Sequence, residues 1–293
     1  MKDSTILNKG YQPEIDGLRA FAICAVIINH FNKAILPGGF LGVDIFFVIS
    51  GYLITSSLLK KQNNNFRLFL NNFYERRIKR IFPSLLTFIV IASISICFFN
   101  EDSINSLRTG IAALFGISNL YLIKVSVDYF SQIAELNIFT HTWSLAVEEQ
   151  FYILIPFIFW FAGKGVNKKI YLRNFLIIFS FLITLSLSYF IKLYPINQPA
   201  AYYLMPTRFW EIAVGCLLFV VLKKFNSINF YFKKTNPLIF LTLIICIMFL
   251  PISWTLISTI STVLLTATLI ISIKQNKLAL KIFSDHRVVY IGL

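Results

Sequence analysis

The sequence predicts an all-α fold, a polytopic transmembrane bundle of about ten apolar helical segments, one of them re-entrant. Three observations carry this reading. Of the 293 residues, 57% are hydrophobic and 14% charged, more apolar than a water-soluble core needs. Several apolar runs approach the ~20 residues that cross a bilayer core. The basic residues, which give a net charge of +14, fall in short stretches between those runs. A nucleic-acid surface would gather them on one folded face, so the expected partner is the lipid bilayer and not nucleic acid.

Taken in order, the spans read as 18–36, 40–59, 81–99, 142–161, 175–191, 206–222, 237–250 and 254–273, with a further one opening at Val288. Residues 1–17 form a short tail, and 18–293 one membrane domain whose last helix is unfinished at Leu293. The first run carries Arg19 and His30 and lacks a small-residue cleavage site, so it reads as a retained helix. Pro206 and Pro237 open their spans, where a missing amide donor costs nothing. Gly38 and Gly42, four apart, offer one small face for close helix contact. Trp143, Trp160, Trp210 and Trp254 lie near span ends and read as interfacial anchors. Cys24, Cys97, Cys216 and Cys246 sit singly in apolar runs, outside any metal-ligand spacing; they read as buried hydrophobes, and no metal is expected.

Charge decides the topology. Segments 1–19, 60–80, 162–173, 223–236 and 274–287 hold 22 of the 27 Lys and Arg residues, which places them all in the cytoplasm. Spans 81–99 and 142–161 already return the chain to that side. The apolar stretch 107–123 should therefore dip in and return, or lie at the outer surface; the alternative is one further crossing elsewhere in the chain.

Ionisable groups inside a membrane cost roughly 2.5 to 3.5 kcal/mol each on insertion scales, which makes them functional candidates. Arg19 and His30 are eleven residues apart, about three helical turns and ~16 Å, so they share a side. His30 and Asp44 flank the hinge at Pro37, Gly38 and Gly39 at similar depth, where the carboxylate would hold the imidazole in one tautomer. Arg76, Arg77, Lys79 and Arg80 crowd the cytoplasmic entrance of the third span, a cluster suited to phosphates or simply to setting topology. Glu148, Glu149 and Tyr152 fall within one span, with Arg208 and its neighbour Glu211 as available charge partners. This second group reads either as an ion-pair network fixing helix packing or as the lining of an outward cavity for a hydroxyl-rich acceptor.

Five blocks in order, EIDGLRAFAICAVIINHF, GGFLGVDIFFVISGYLIT, RRIKRIFP, HTWSLAVEEQFY and RFWEIAVG, resemble the acyltransferase-3 family of bacterial membrane acyltransferases. The resemblance implies a plasma-membrane enzyme that uses cytoplasmic acyl-CoA, usually acetyl-CoA, to acylate a hydroxyl of an extracytoplasmic glycan. It implies His30 as the catalytic histidine with Arg19 as its donor-side partner. Coenzyme A would favour Arg76 and Arg80 in the basic motif, while Asp44, Glu148, Glu149, Arg208 and Glu211 would line the polar interior. It also implies a partner, an extracytoplasmic SGNH hydrolase-like domain following this chain. Two rival readings use the same polar residues: a proton-coupled transporter with His30, Asp44, Glu148, Glu149 and Arg208 as a relay, and a scaffold in which they only fix packing.

Overall fold

The computed structural model describes residues 11–60, 65–99, 104–125, 137–163, 168–224 and 235–293, and among them there is no strand. Among the described residues, six stretches are long and apolar enough to cross a membrane: Gly39–Leu59, Phe66–Phe98, Thr142–Phe161, Ile170–Leu193, Gln198–Lys224 and Ile252–Ile273. The chain is a multi-pass helical membrane protein. Its residues fall into two compact units, one of residues 1–52 and 218–293 and the other of residues 53–217.

In the first unit, α1 runs Pro13–Phe31. It starts and ends five residues before the span expected from hydropathy, because Pro13 presets the first turn and Asn32 is already extended. Glu14, Asp16 and Arg19 occupy its first two turns, which keeps α1 out of the six apolar stretches. A tight turn at Gly39–Leu41 leads into α2, Gly42–Lys60. Gly38 and Gly42 do not share a face, since Gly38 precedes the helix. Gly38 donates its N–H to the Met248 carbonyl at 2.6 Å, whereas Gly42 lies against the Ala22 carbonyl and Val26 of α1.

The second unit contains α3, Phe66–Phe99, a single helix of 34 residues. The expected span at 81–99 is only its apolar second half. Asn65 caps its start by accepting from the Arg67 N–H at 3.0 Å, and residues 66–80 include four Arg and two Leu, good helix formers, with no Gly or Pro. Leu85, Ile89 and Ile96 pack with Ala113 and Phe139 on one side of α3, while Ile91, Ile94 and Phe98 stay exposed for lipid.

The apolar stretch 107–123 folds into two short helices that pack on each other. Helices α4, Ile104–Leu114, and α5, Ser118–Lys124, rise only about 16 and 10 Å, too little to cross. They meet at Gly116, whose φ of 65° is left-handed.

The second unit continues with α6, Thr142–Phe161, α7, Lys168–Leu193, and the short α8, Gln198–Tyr203. Helix α9, Met205–Lys224, runs from the second unit into the first. There follow α10, Pro237–Met248, α11, Thr255–Ile273, α12, Lys277–Phe283, and α13, His286–Gly292. Side chains of Asn197, Asn236, Asn276 and Asp285 cap four of these starts. Helix α10 packs on α11, and α13 packs on α1.

Candidate active site

His30 stands in the last turn of α1, exposed, with Nδ1 2.8 Å from the Val26 carbonyl oxygen. A carbonyl only accepts, so Nδ1 carries a proton; in the neutral ring the lone pair then sits on Nε2. The carbonyl four residues back in the same helix thus holds one ring nitrogen of His30. Asp44, third residue of α2, is buried at 1% exposure. Arg19 lies one turn along α1 from Asp16, Nη1 to Oδ1 3.4 Å, a pair not anticipated from sequence.

At the end of α11 the Lys274 ammonium donates to Gln12 Oε1 at 2.7 Å and to the Tyr52 hydroxyl at 2.5 Å, with Glu14 at 3.9 Å. Burial lowers the Lys274 pKa, and the Glu14 charge opposes that shift. Nothing in the spacing of residues 12, 52 and 274 announces this junction; the three come from distant parts of the chain.

In the second unit, Phe66 packs on Trp160 and Phe157, and the Tyr74 hydroxyl donates to the Ile153 carbonyl at 3.0 Å, so α3 and α6 run antiparallel. This register carries Arg77 up to the middle of α6. Its guanidinium lies 4.4 Å from the centre of the Tyr152 ring, and the Tyr152 hydroxyl donates to Glu148 Oε2 at 2.6 Å. The basic residues therefore belong to a helix interior and not to a loop before a span. Arg76, Lys79 and Arg80 are exposed on it, Lys79 paired with Glu75.

The tip of the α4–α5 hairpin sits against the same helix. An added Cβ at Gly116 would lie 2.6 Å from Glu149 Oε2. Gln150 Nε2 donates to the Gly116 carbonyl at 2.9 Å and to Asn119 Oδ1 at 2.8 Å, and Asn119 Nδ2 donates to the Tyr203 carbonyl at 3.0 Å. These amides supply the backbone partners that a turn among apolar helices needs. Gln150 and Asn119 were missed as site residues; their only signal was an amide inside an apolar run.

Arg208 and Glu211 pair with each other, Nη1 to Oε1 2.7 Å, both at 0% exposure. Trp143, Tyr202 and Phe190 surround the guanidinium at 5.7, 4.9 and 5.9 Å. Trp143 and Trp210 are consequently core residues, at 1% and 2% exposure, and not interfacial anchors: Tyr202 and Tyr203 of α8 pack on Trp143, and Phe190 of α7 packs on Trp210. Trp254 is exposed as expected of an anchor. Of the cysteines only Cys216 is buried; Cys24, Cys97 and Cys246 lie on outward helix faces, where an apolar run meets lipid as readily as protein. Among the described residues no cluster of His, Cys, Asp and Glu has the makings of a metal site.

The family model described as an acyltransferase domain, acyltransferase-3, matches residues 12–292. The chain belongs to the acyltransferase-3 family. It is similar to the O-acetyltransferase OatA of Staphylococcus aureus strain NCTC 8325 / PS 47, 40% identical over 222 residues, which cover 74% of this chain and 36% of that protein. OatA of strain COL matches with the same identity and coverage. The chain thus spans about a third of the length of the curated relatives it matches. No solved structure matches. Within this acyltransferase-3 chain, Arg19, His30 and Asp44 belong to the first unit, and the basic cluster, Glu148, Glu149, Tyr152, Arg208 and Glu211 to the second.

Proposed function

We propose that the chain is the membrane part of an O-acyltransferase, moving an acyl group, in the simplest case acetyl, from cytoplasmic acyl-CoA to a hydroxyl of an extracytoplasmic glycan. It would sit in the bacterial plasma membrane with its amino terminus cytoplasmic and work with an SGNH hydrolase-like domain on the far side. Membership of the acyltransferase-3 family and the similarity to proteins named O-acetyltransferase support the reaction class. The observation that supports His30 as the base is its bond to Val26, which puts a proton on Nδ1, so that the neutral ring carries its basic lone pair on Nε2.

In this reading Nε2 takes the proton of the acceptor hydroxyl as its oxygen attacks the thioester carbonyl. The carbon–sulfur bond then breaks, and the leaving thiolate recovers that proton from the imidazolium. A positioned base of this kind contributes roughly 10² to 10⁴-fold. Arg76, Lys79 and Arg80, exposed on α3, suit the donor's phosphates, and Arg19 lies about 16 Å from His30 along the same helix. Asp44 and the carboxylates Glu148 and Glu149 are assigned to the polar interior, with Tyr152, Arg208 and Glu211 on the acceptor side.

The test uses the full chain in proteoliposomes with acetyl-CoA and a neutral glycan. His30→Ala, at matched membrane abundance, is expected to lose transfer by at least about a hundredfold. An unchanged rate removes His30 from the chemistry. Passage of labelled glycan into vesicles without acetyl-CoA supports the transporter reading instead.

A further inference from the structure

Helix α11 carries hydroxyls on more than one face, and they behave differently. Thr268 and Ser272 bond back to the carbonyls of Leu265 and Leu269, and Thr255 at the helix start bonds to Ile252. This is how hydroxyls usually settle inside an apolar helix. Thr259, Thr262 and Thr266 do not. All three are at 0% exposure, and none of their hydroxyls has a hydrogen-bond partner among the described residues. Positions 259, 262 and 266 fall within about 60° of one another around the helix and rise through about 10 Å. Each buried hydroxyl left unmade costs about 1 to 3 kcal/mol, so three on one stripe form a row of unmet hydrogen bonds facing inward.

The stripe has polar surroundings at one end and a turn at the other. Two helical turns beyond Thr266 is Lys274, held by Gln12 and Tyr52. In the other direction, Gly38, which precedes the Gly39–Leu41 turn linking the His30 helix to the Asp44 helix, bonds to Met248 shortly before α11 begins, and α11 packs on that turn. The row of hydroxyls therefore leads, inside one compact unit, from the lysine junction toward the level of the turn.

From this we propose that Thr259, Thr262 and Thr266 bind the pantetheine arm of the acyl-CoA donor. The proposal rests on the acyl-CoA reading above. The arm is an aliphatic chain with two amides and one hydroxyl, and a slender ligand of that kind needs partners at intervals along a line. Threonine hydroxyls both donate and accept, so they serve amide N–H and carbonyl alike. A fatty chain would have no use for them, and a sugar would need a wider, two-sided arrangement.

The test compares the full wild-type chain in proteoliposomes with the double variant Thr262→Val, Thr266→Val, which keeps shape and removes the hydroxyls, and with the corresponding Ser pair. Two neutral hydrogen bonds at about 0.5 to 1.5 kcal/mol each predict a KM for acetyl-CoA raised about tenfold, with kcat within about twofold. The Ser pair should restore the wild-type KM. Inhibition by 3′-phospho-ADP, which has the anionic head and lacks the arm, should keep its Ki in every variant. An unchanged KM in the Val pair overturns the assignment, as does a loss shared by kcat and the 3′-phospho-ADP Ki, which marks a packing defect. A wild-type chain with no transfer from acetyl-CoA fails the donor reading, and this assignment falls with it.

Discussion

Arg77 on α3 stacks over the ring of Tyr152 on α6 at 4.4 Å, and the phenol it covers is bonded to Glu148. A cation over an aromatic face is worth about 0.5 to 2 kcal/mol, and a hydrogen bond to a charged group about 1.5 to 3. Arg77 thus holds Tyr152 in place beside a carboxylate at mid-helix, a task different from that of its exposed neighbours. Tyr152→Phe and Arg77→Gln are both expected to lower kcat for acyl transfer by about tenfold or more, while Arg77→Lys, which keeps the charge, loses less. Steady-state kinetics separate this from phosphate binding, under which Arg77→Gln would raise KM for acetyl-CoA and Tyr152→Phe would leave it unchanged.

The Arg208–Glu211 pair is sealed from solvent. Removing one partner strands a buried charge, so Arg208→Gln or Glu211→Gln alone should destabilise by about 3 to 5 kcal/mol and cut the folded yield in membranes. Arg208→Met with Glu211→Leu should recover most of that yield. Thermal unfolding in detergent, followed by size-exclusion monodispersity, measures both. A well-folded Arg208→Gln protein deficient only in acceptor KM would instead place the pair in direct contact with the glycan.

Gly116 combines a left-handed φ with the Glu149 carboxylate where a Cβ would go. Gly116→Ala should cost about 1 to 2 kcal/mol from backbone strain alone, and the displaced tip should loosen the bonds from Gln150. A lowered melting temperature is the expected reading. If the variant melts as the parent does, the hairpin turn is not held as described.

Lys274 gives a pH dependence with a definite sign. Its folded pKa lies below the ordinary lysine value of the unfolded chain. In the interval between the two, the folded state has released a proton that the unfolded state still holds, so stability rises as pH climbs through that interval. Below it, the buried ammonium carries its full desolvation cost. Lys274→Met should flatten this alkaline rise, and melting curves across the alkaline range check it.

Much was legible in the amino-acid order. Hydropathy located the 142–161 helix to the residue, because an apolar run ending in a glycine turn has few other options. Charge bias led to the expectation that residues 107–123 turn back, and α4 and α5 are two short helices that turn at Gly116; Arg19 and His30, expected on one helix, both lie on α1. Long-range partners were not legible. Hydropathy is blind to a polar helix, so it missed that α3 begins at Phe66 and lifts Arg77 beside Tyr152, a contact between residues 75 positions apart. A tryptophan at a span end looks the same in a list of residues whether lipid or Tyr202 lies against it. That His30 Nδ1 lies against the Val26 carbonyl was not legible either, since only packed coordinates reveal which acceptor the ring turns to.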